Sequence, residues 1–334
     1  MHILVTGGAG YIGSATAALF LQAGHRVTVL DNLYRGHREA VPQGAHFVRG
    51  DISDRGTLDT LFQLDKFDAV AHFAALMEAG ESMEQPSRYF RHNVSYSQNL
   101  LEAMLAHDVK RIVFSSTAAV YASKNGPLQE EDPYQPANVY GETKLMIEQM
   151  IRWYHRLNGL KYCILRYFNA SGAMLDADGK ALRGEAHSPE THLIPLTLQV
   201  PLGQRDAIRV FGTDYDTFDG TCIRDYIHIV DLATAHVLAL DALDGQPAMT
   251  YNLGNGQGYS VRQVIDAARQ VTGHPLPVIE TARRPGDGAV LVASSEKIND
   301  ELGWKPRYPD LKDIVASAWA WHRTHPNGYQ AQDK

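Results

Sequence analysis

The chain has 334 residues, 44% of them hydrophobic and 21% charged, with 31 basic against 38 acidic side chains and a formal charge of −7. This is the composition of a globular protein with a sizeable core, and it excludes disorder, a fibre and a basic nucleic-acid-binding surface. Two cysteines outside any C-x-x-C pair exclude a disulfide framework, and no leader-like or membrane-length apolar run occurs, so a cytoplasmic protein is expected.

Short apolar runs alternate with helical patterns through the first half. "HILVT", "RVTVLD", "HFVRGD", "DAVAHFA", "RIVFSS" and "YCILRYF" read as buried strands, and 12–23, 93–106 and 141–157 as helices between them. That alternation predicts right-handed βαβ units, hence an α/β, Rossmann-type doubly wound parallel sheet. From about residue 171 the pattern loosens into segments rich in Gly, Asp and Ser, with helices at 193–200, 230–243 and 261–271 and an amphipathic "LKDIVASAWAWHRTH" near the end. The expected division is a nucleotide-binding domain over 1–170 and a smaller C-terminal α/β substrate domain over 171–334, with segments near 215–245 returning to the first.

The turn "TGGAGYIGS" follows the first strand and opens the first helix, with Gly8, Gly10 and Gly13 in G-x-G-x-x-G spacing. In that context the glycines permit a tight turn, close approach of a pyrophosphate and close helix–strand packing, so Gly7, Gly10, Tyr11, Ile12 and Gly13 are expected to cradle a dinucleotide. Asp31 and Asn32 end the second strand, where a carboxylate accepts from a ribose hydroxyl and repels a 2′-phosphate, favouring NAD over NADP. Arg35 and Arg38 follow and read as solvated loop arginines. Asp51 and Ile52 are expected at the adenine, with Phe73 and Ala74 along the cofactor groove.

Tyr140 and Lys144 stand four apart in "VYGETK", so on a helix both leave the same face. In isolation the pair is equally a solvated helix face; Ser115, Ser116 and Thr117 at the end of the fifth strand make it specific. A phenol working as a base near pH 7 needs about three units of depression, roughly 4 kcal/mol. A lysine charge about 6 Å away supplies roughly 2.8 kcal/mol at an effective dielectric near 20. An oxidised nicotinamide beside the tyrosine would add the rest. His187 and His192 in "EAHSPETH" suggest a metal pair, but no third ligand stands at a typical zinc spacing, so no metal is expected.

Together the glycine turn, the Ser/Thr strand end and Y-x-x-x-K resemble the extended short-chain dehydrogenase/reductase family. Within it, "RYFNASGA", "FGTDYDTFDGTCIRDYIHIVDLA", "YNLGNGQGYSV", "RRPGD" and "LGWKP" resemble the UDP-glucose 4-epimerases, in the same order and almost end to end. The resemblance implies tightly held NAD, a UDP-sugar substrate of galactose metabolism and a homodimer, with 93–106 and 141–157 offered to a four-helix interface. It implies that Tyr140 takes the proton of the sugar 4-hydroxyl, that Thr117 bonds the 4-oxygen, and that Lys144, with Tyr167 nearby, holds the nicotinamide end. It places Asn169, Arg224 and Arg284 around the diphosphate, Phe211 beside uracil, Asp287 at the uridine ribose, and His192, Leu193 and Leu291 in the substrate pocket. Met77 replaces a lysine and His192 an asparagine of the better-known members, and Leu291 leaves N-acetylated sugars open. UDP-pentose or UDP-uronate epimerisation, 4,6-dehydration and a non-catalytic NAD sensor are the rival readings. Ala118 and Ala119 replace the acid pair that usually follows the threonine in the dehydratases.

Overall fold

A computed structural model describes residues 1–122, 124, 126–284 and 288–329. The six expected strands form as β1 (His2–Thr6), β2 (Arg26–Asp31), β3 (His46–Arg49), β4 (Ala69–His72), β5 (Arg111–Thr117) and β6 (Lys161–Tyr167). A seventh, Ala248–Leu253, joins the edge beside β6, and all pairings are parallel in the order Ala248–Leu253, β6, β5, β4, β1, β2, β3. The chain reverses direction across the sheet on either side of β1, which puts a ligand crevice at the C-terminal strand ends.

Period-two burial divides the core into two layers. Ile3, Val5, Val113 and Leu165 face the helices Tyr11–Gln22 and Ile229–Ala242, while Leu4, Ile112, Phe114 and Ile164 face Arg55–Leu64, Tyr96–Ala106 and Val139–Asn158. A separate core gathers the helices Leu193–Leu198, Val261–Thr272 and Leu311–Thr324 around the parallel pair Ile208–Phe211 and Val278–Thr281.

Two departures from the sequence expectation bear on the site. The seventh strand, "AMTYNL", does not read as a hydrophobic run because its buried Asn252 is polar; the amide takes a hydrogen bond from Tyr121 Oη (2.7 Å) and donates to the Leu128 carbonyl (3.1 Å). The helix expected from residue 93 is preceded by a stretch of π-helix, Phe90–Ser95, which turns Asn93 inward.

Candidate active site

The glycine turn is built by close contact. Gly7 has φ +73°, and a Cβ there would stand 2.6 Å from the Ala74 nitrogen; one on Gly13 would stand 2.3 Å from the Gly7 carbonyl oxygen. Only hydrogen fits at either place, so the turn lies directly against the end of β4 and the helix starts immediately beyond it. Asp31 closes the turn from β2: one carboxylate oxygen accepts from the Ala9 amide (3.0 Å), the other from Leu33 (2.8 Å). Burial raises its pKa, and these two amide donors oppose the rise. Asn32 donates to Asp51 at 2.6 Å.

A second close approach sets the chemical end. The helix Val139–Asn158 is capped by Asn138, whose side chain accepts from the Gly141 amide. A Cβ on Gly141 would stand 2.4 Å from the Ala119 carbonyl, so the helix start rests on the chain just past β5. Tyr140 is thereby brought onto the same cavity wall as Thr117. The Tyr140 amide donates to Ser82 Oγ (3.1 Å), and its carbonyl accepts from Thr143 (2.7 Å). Thr143 in turn accepts from Asn93 (3.0 Å), whose amide also brackets the Leu76 backbone. The π-helical stretch therefore helps to hold the tyrosine in place.

One turn along, Lys144 is buried; its ammonium nitrogen donates to the Ser115 carbonyl (2.9 Å) and lies 6.0 Å from the Tyr140 ring centre. Tyr167 is hydrogen-bonded to Ser115 beside it. Burial pushes Tyr140 up to about 12 against the Thr117 hydrogen bond, and pushes Lys144 down to about 7 against the attraction of Glu148. Desolvation thus drives both groups toward their neutral forms.

Both ends open into one cavity of about 530 Å³. Gly7, Gly10, Tyr11, Ile12, Gly13, Asp31, Asn32, Asp51, Ile52, Phe73, Ala74, Thr117, Tyr140, Lys144, Tyr167, Asn169 and His192 all line it. Tyr11 spends its hydroxyl on the Gly172 carbonyl (2.6 Å), and Asn169 donates to the Asp225 carbonyl (2.9 Å). Met77 lies on the lining without a charge to offer. Arg35 also lines the cavity and is not a solvated arginine: it pairs with Glu78 (2.7 Å). Arg38 lies over the Phe47 ring.

The other expected substrate residues stand apart from this lining among the described residues. Leu193 begins the helix Leu193–Leu198 and packs on the C-terminal core. Arg224 and Leu291 are register partners in a short strand pair, and the Arg284 guanidinium lies 3.9 Å above the Phe211 ring centre. Asp287 lies outside the described residues. Sequence reasoning missed Glu81, Tyr89, His92 and Tyr96 on the cavity wall. They come from the π-helical stretch, the two short helices before it and the helix after it. Glu185 and Glu190, left unweighed by the argument from zinc spacing, stand beside His187 and His192.

Residues 3–254 match the model of the NAD dependent epimerase/dehydratase family. The chain is 54% identical over 337 aligned positions to the UDP-glucose 4-epimerase of Halalkalibacterium halodurans, covering 100% of this chain and 99% of that one. A crystal structure of a UDP-glucose 4-epimerase superposes with a TM-score of 0.95 at 49% identity, covering 99% of this chain and 100% of that one. The UDP-glucose 4-epimerase from Bifidobacterium longum in complex with NAD+ and UDP superposes at 0.92 with 38% identity, covering 98% and 100%.

Proposed function

This chain belongs to the NAD dependent epimerase/dehydratase family, and from that premise we infer that it interconverts UDP-sugars differing in configuration at C4, UDP-glucose and UDP-galactose above all. The observation that carries the reading is that Thr117, Tyr140 and Lys144, the last 6.0 Å from the tyrosine ring centre, line the same cavity as the glycine turn.

The residues present fit NAD. A cradle that a single Cβ would fill stands at Gly7 and Gly13, and a buried carboxylate closes it at Asp31. The turn Gly7–Gly13 would hold the diphosphate, Asp31 the ribose, Asp51 and Ile52 the adenine, and Lys144 with Tyr167 the nicotinamide end. NAD, when bound, supplies a reversible hydride acceptor. Tyr140 takes the proton of the sugar 4-hydroxyl as the carbinol carbon becomes a ketone, and returns it when the alcohol reforms with the opposite configuration. Thr117, on the same cavity wall, offers a second hydroxyl to the sugar oxygen. The proton taken is the proton given back, so no net acid, base or reductant is consumed.

Dehydration is disfavoured by the residues themselves. Ala118 and Ala119 follow Thr117 with methyl side chains, which cannot protonate a departing hydroxyl. For the nucleotide end we assign Phe211 and Arg284 to a stacked platform for uracil and diphosphate, with Arg224 as the second guanidinium. We assign a second copy of the chain to the outer face of the helix Val139–Asn158, where Trp153 and Leu157 are 57% and 74% exposed. Light scattering that shows only monomer removes that assignment. No helix among the described residues is long and apolar enough to cross a membrane.

The deciding experiment incubates purified protein with UDP-galactose without added reductant and resolves the products. UDP-glucose of unchanged mass is expected. Loss of water would indicate dehydration, and no isomer from UDP-galactose, UDP-N-acetylhexosamine, UDP-pentose or UDP-uronate would remove the epimerase reading.

A further inference from the structure

We propose that Glu185, His187, Glu190 and His192 bind a divalent transition-metal ion, with zinc the best match, in a closed four-ligand site that clasps the 184–192 loop over the nucleotide cavity. One donor atom from each residue lies within 4.8 Å of all the others. His187 Nδ1 is 3.0 Å from Glu185 Oε1 and 3.8 Å from Glu190 Oε2. His192 Nδ1 is 2.7 Å from Glu185 Oε1 and 3.0 Å from Glu190 Oε1. Four ligands at zinc's usual bond lengths stand about 3.3 Å from one another at the corners of a tetrahedron. The imidazole-to-Glu185 separations, 2.7 and 3.0 Å, and those to the nearer Glu190 oxygen, 3.0 and 3.8 Å, run to either side of that value in a cluster up to 4.8 Å across.

The chemistry of the donors points the same way. Two imidazoles and two carboxylates make a nitrogen–oxygen set that zinc accepts, and two carboxylates balance the charge of a divalent ion with both imidazoles neutral. Glu185 and Glu190 have side chains only 5% and 7% exposed, so bulk water does little to separate their like charges. With all four positions supplied by protein, the site is of the structural kind, with no corner left for a reacting ligand.

The surroundings hold these donors as an outer shell would. Glu190 Oε1 accepts from the amides of Thr191 (2.7 Å) and His192 (2.8 Å). The Glu185 carbonyl accepts from the buried indole of Trp321 (2.9 Å), and a Cβ on Gly184 would stand 2.2 Å from that ring. On the other side, His37 Nε2 reaches the Ala186 carbonyl (2.8 Å) and Arg35 the Ser188 carbonyl. His37 and Arg35 follow β2, so a metal here joins the C-terminal helix, the loop and the Asp31 end of the nucleotide cavity. Glu185, His187 and His192 are themselves on the cavity wall.

The sequence signal is E-x-H-x-x-E-x-H, which a search for cysteine and histidine spacing passes over. The test measures metal in the purified NAD-loaded protein by plasma mass spectrometry, before and after chelation, then after readdition of zinc. About one zinc per chain is expected, lost on chelation and regained, with cleavage of the 184–192 loop by protease at least ten-fold faster in the stripped protein. Replacement by cobalt should give the intense visible bands of a tetrahedral ion. His187→Ala and Glu190→Gln should each lower the metal content at least ten-fold while the protein keeps its NAD. The proposal is overturned if the unmodified protein neither contains zinc nor competes with a chromogenic chelator for it, or if both variants keep the full stoichiometry. The chelation arm uses unmodified protein and decides the matter even if a variant is insoluble.

Discussion

Replacing Glu148 by glutamine should destabilise the protein out of proportion to the single atom changed. Glu148 lies one turn beyond Lys144, fully buried, and accepts from Ser116 Oγ (2.6 Å), Arg166 Nε (2.9 Å) and Arg166 Nη2 (2.5 Å). Arg166 is equally buried, and against the opposing effect of burial the carboxylate holds its pKa above the usual arginine value. A guanidinium cannot shed its proton to escape a dry interior. Removing one partner of a buried pair costs about 3–5 kcal/mol. The amide of Glu148→Gln keeps one acceptor, and the Tyr121 (2.6 Å) and Tyr134 (3.0 Å) hydroxyls stay with Arg166, so the lower end, about 3 kcal/mol, applies. For a chain of this length that is a fall in Tm of roughly 6 °C. Thermal unfolding at fixed NAD should show it, since ligand would otherwise shift the midpoint by mass action. In a cycle of Glu148→Leu, Arg166→Met and the double variant Glu148→Leu/Arg166→Met, the double variant should recover most of the loss of either single one, with a coupling of at least about 2 kcal/mol. Activity should fall as well, because Glu148 supports the charge on Lys144. A Tm within about 1 °C of the parent, or costs that simply add, would refute the reasoning.

Tyr140→Phe removes the proposed proton acceptor and should lower kcat by about 10²–10⁴ with little change in KM, measured with UDP-galactose; near-parental turnover would exclude Tyr140 as the base. Gly13→Ala puts a methyl 2.3 Å from the Gly7 carbonyl, so the turn must open. A loss of about 1–3 kcal/mol and at least ten-fold weaker NAD binding are expected by unfolding and calorimetry. Burial lowers His72 to about 3, with Lys144 adding to the effect, and lowers His236 to about 4 against its hydrogen bond to the Leu232 carbonyl. Below the ordinary value of 6.5 the unfolded chain binds these protons and the folded chain does not. Stability should therefore fall as pH drops from about 6.5 toward about 4, by up to about 1.4 kcal/mol per pH unit for each group. The urea midpoint at about pH 5 should be below that at about pH 7.5, and a rise would refute the assignment of neutral buried imidazoles.

Much of the fold was legible because burial on both faces of a parallel sheet forces continuous apolar runs: β1 and β2 end where their runs end. The seventh strand was not, since Asn252 reads as a turn residue until a hydrogen-bonding partner 131 positions away is known. Legibility of the site follows the same divide. Gly13, Asp31, Tyr140 and Lys144 sit at spacings set by one turn or one helix face, so sequence distance encodes spatial distance. Glu81, Tyr89 and His92 reach the cavity through the packing of a π-helical stretch and the short helices before it, a tertiary outcome with no fixed spacing. Glu185 and Glu190 were in plain view beside the two histidines but lacked the thiol or imidazole pattern that marks a zinc ligand.

Tyr140 and Lys144 show why burial and base strength have to be considered together. From about 12, Tyr140 must fall by some five units to act near neutral pH, roughly 7 kcal/mol. A full lysine charge about 6 Å from the phenolate would return roughly 2.8 kcal/mol at an effective dielectric near 20. With its own pKa at about 7, the lysine carries that charge only about half the time at neutral pH. The remaining ~4 kcal/mol or more has to arrive with ligands, through charge and hydrogen bonds brought into the same dry cavity. A neutral Tyr140–Lys144 pair is the cheaper one to bury, and in the proposed reaction the tyrosine becomes a base only in the presence of what it acts upon. Adding NAD should therefore lower the Tyr140 titration seen by ultraviolet difference spectroscopy by at least one unit, and a titration that NAD leaves unmoved would require the base to be some other group.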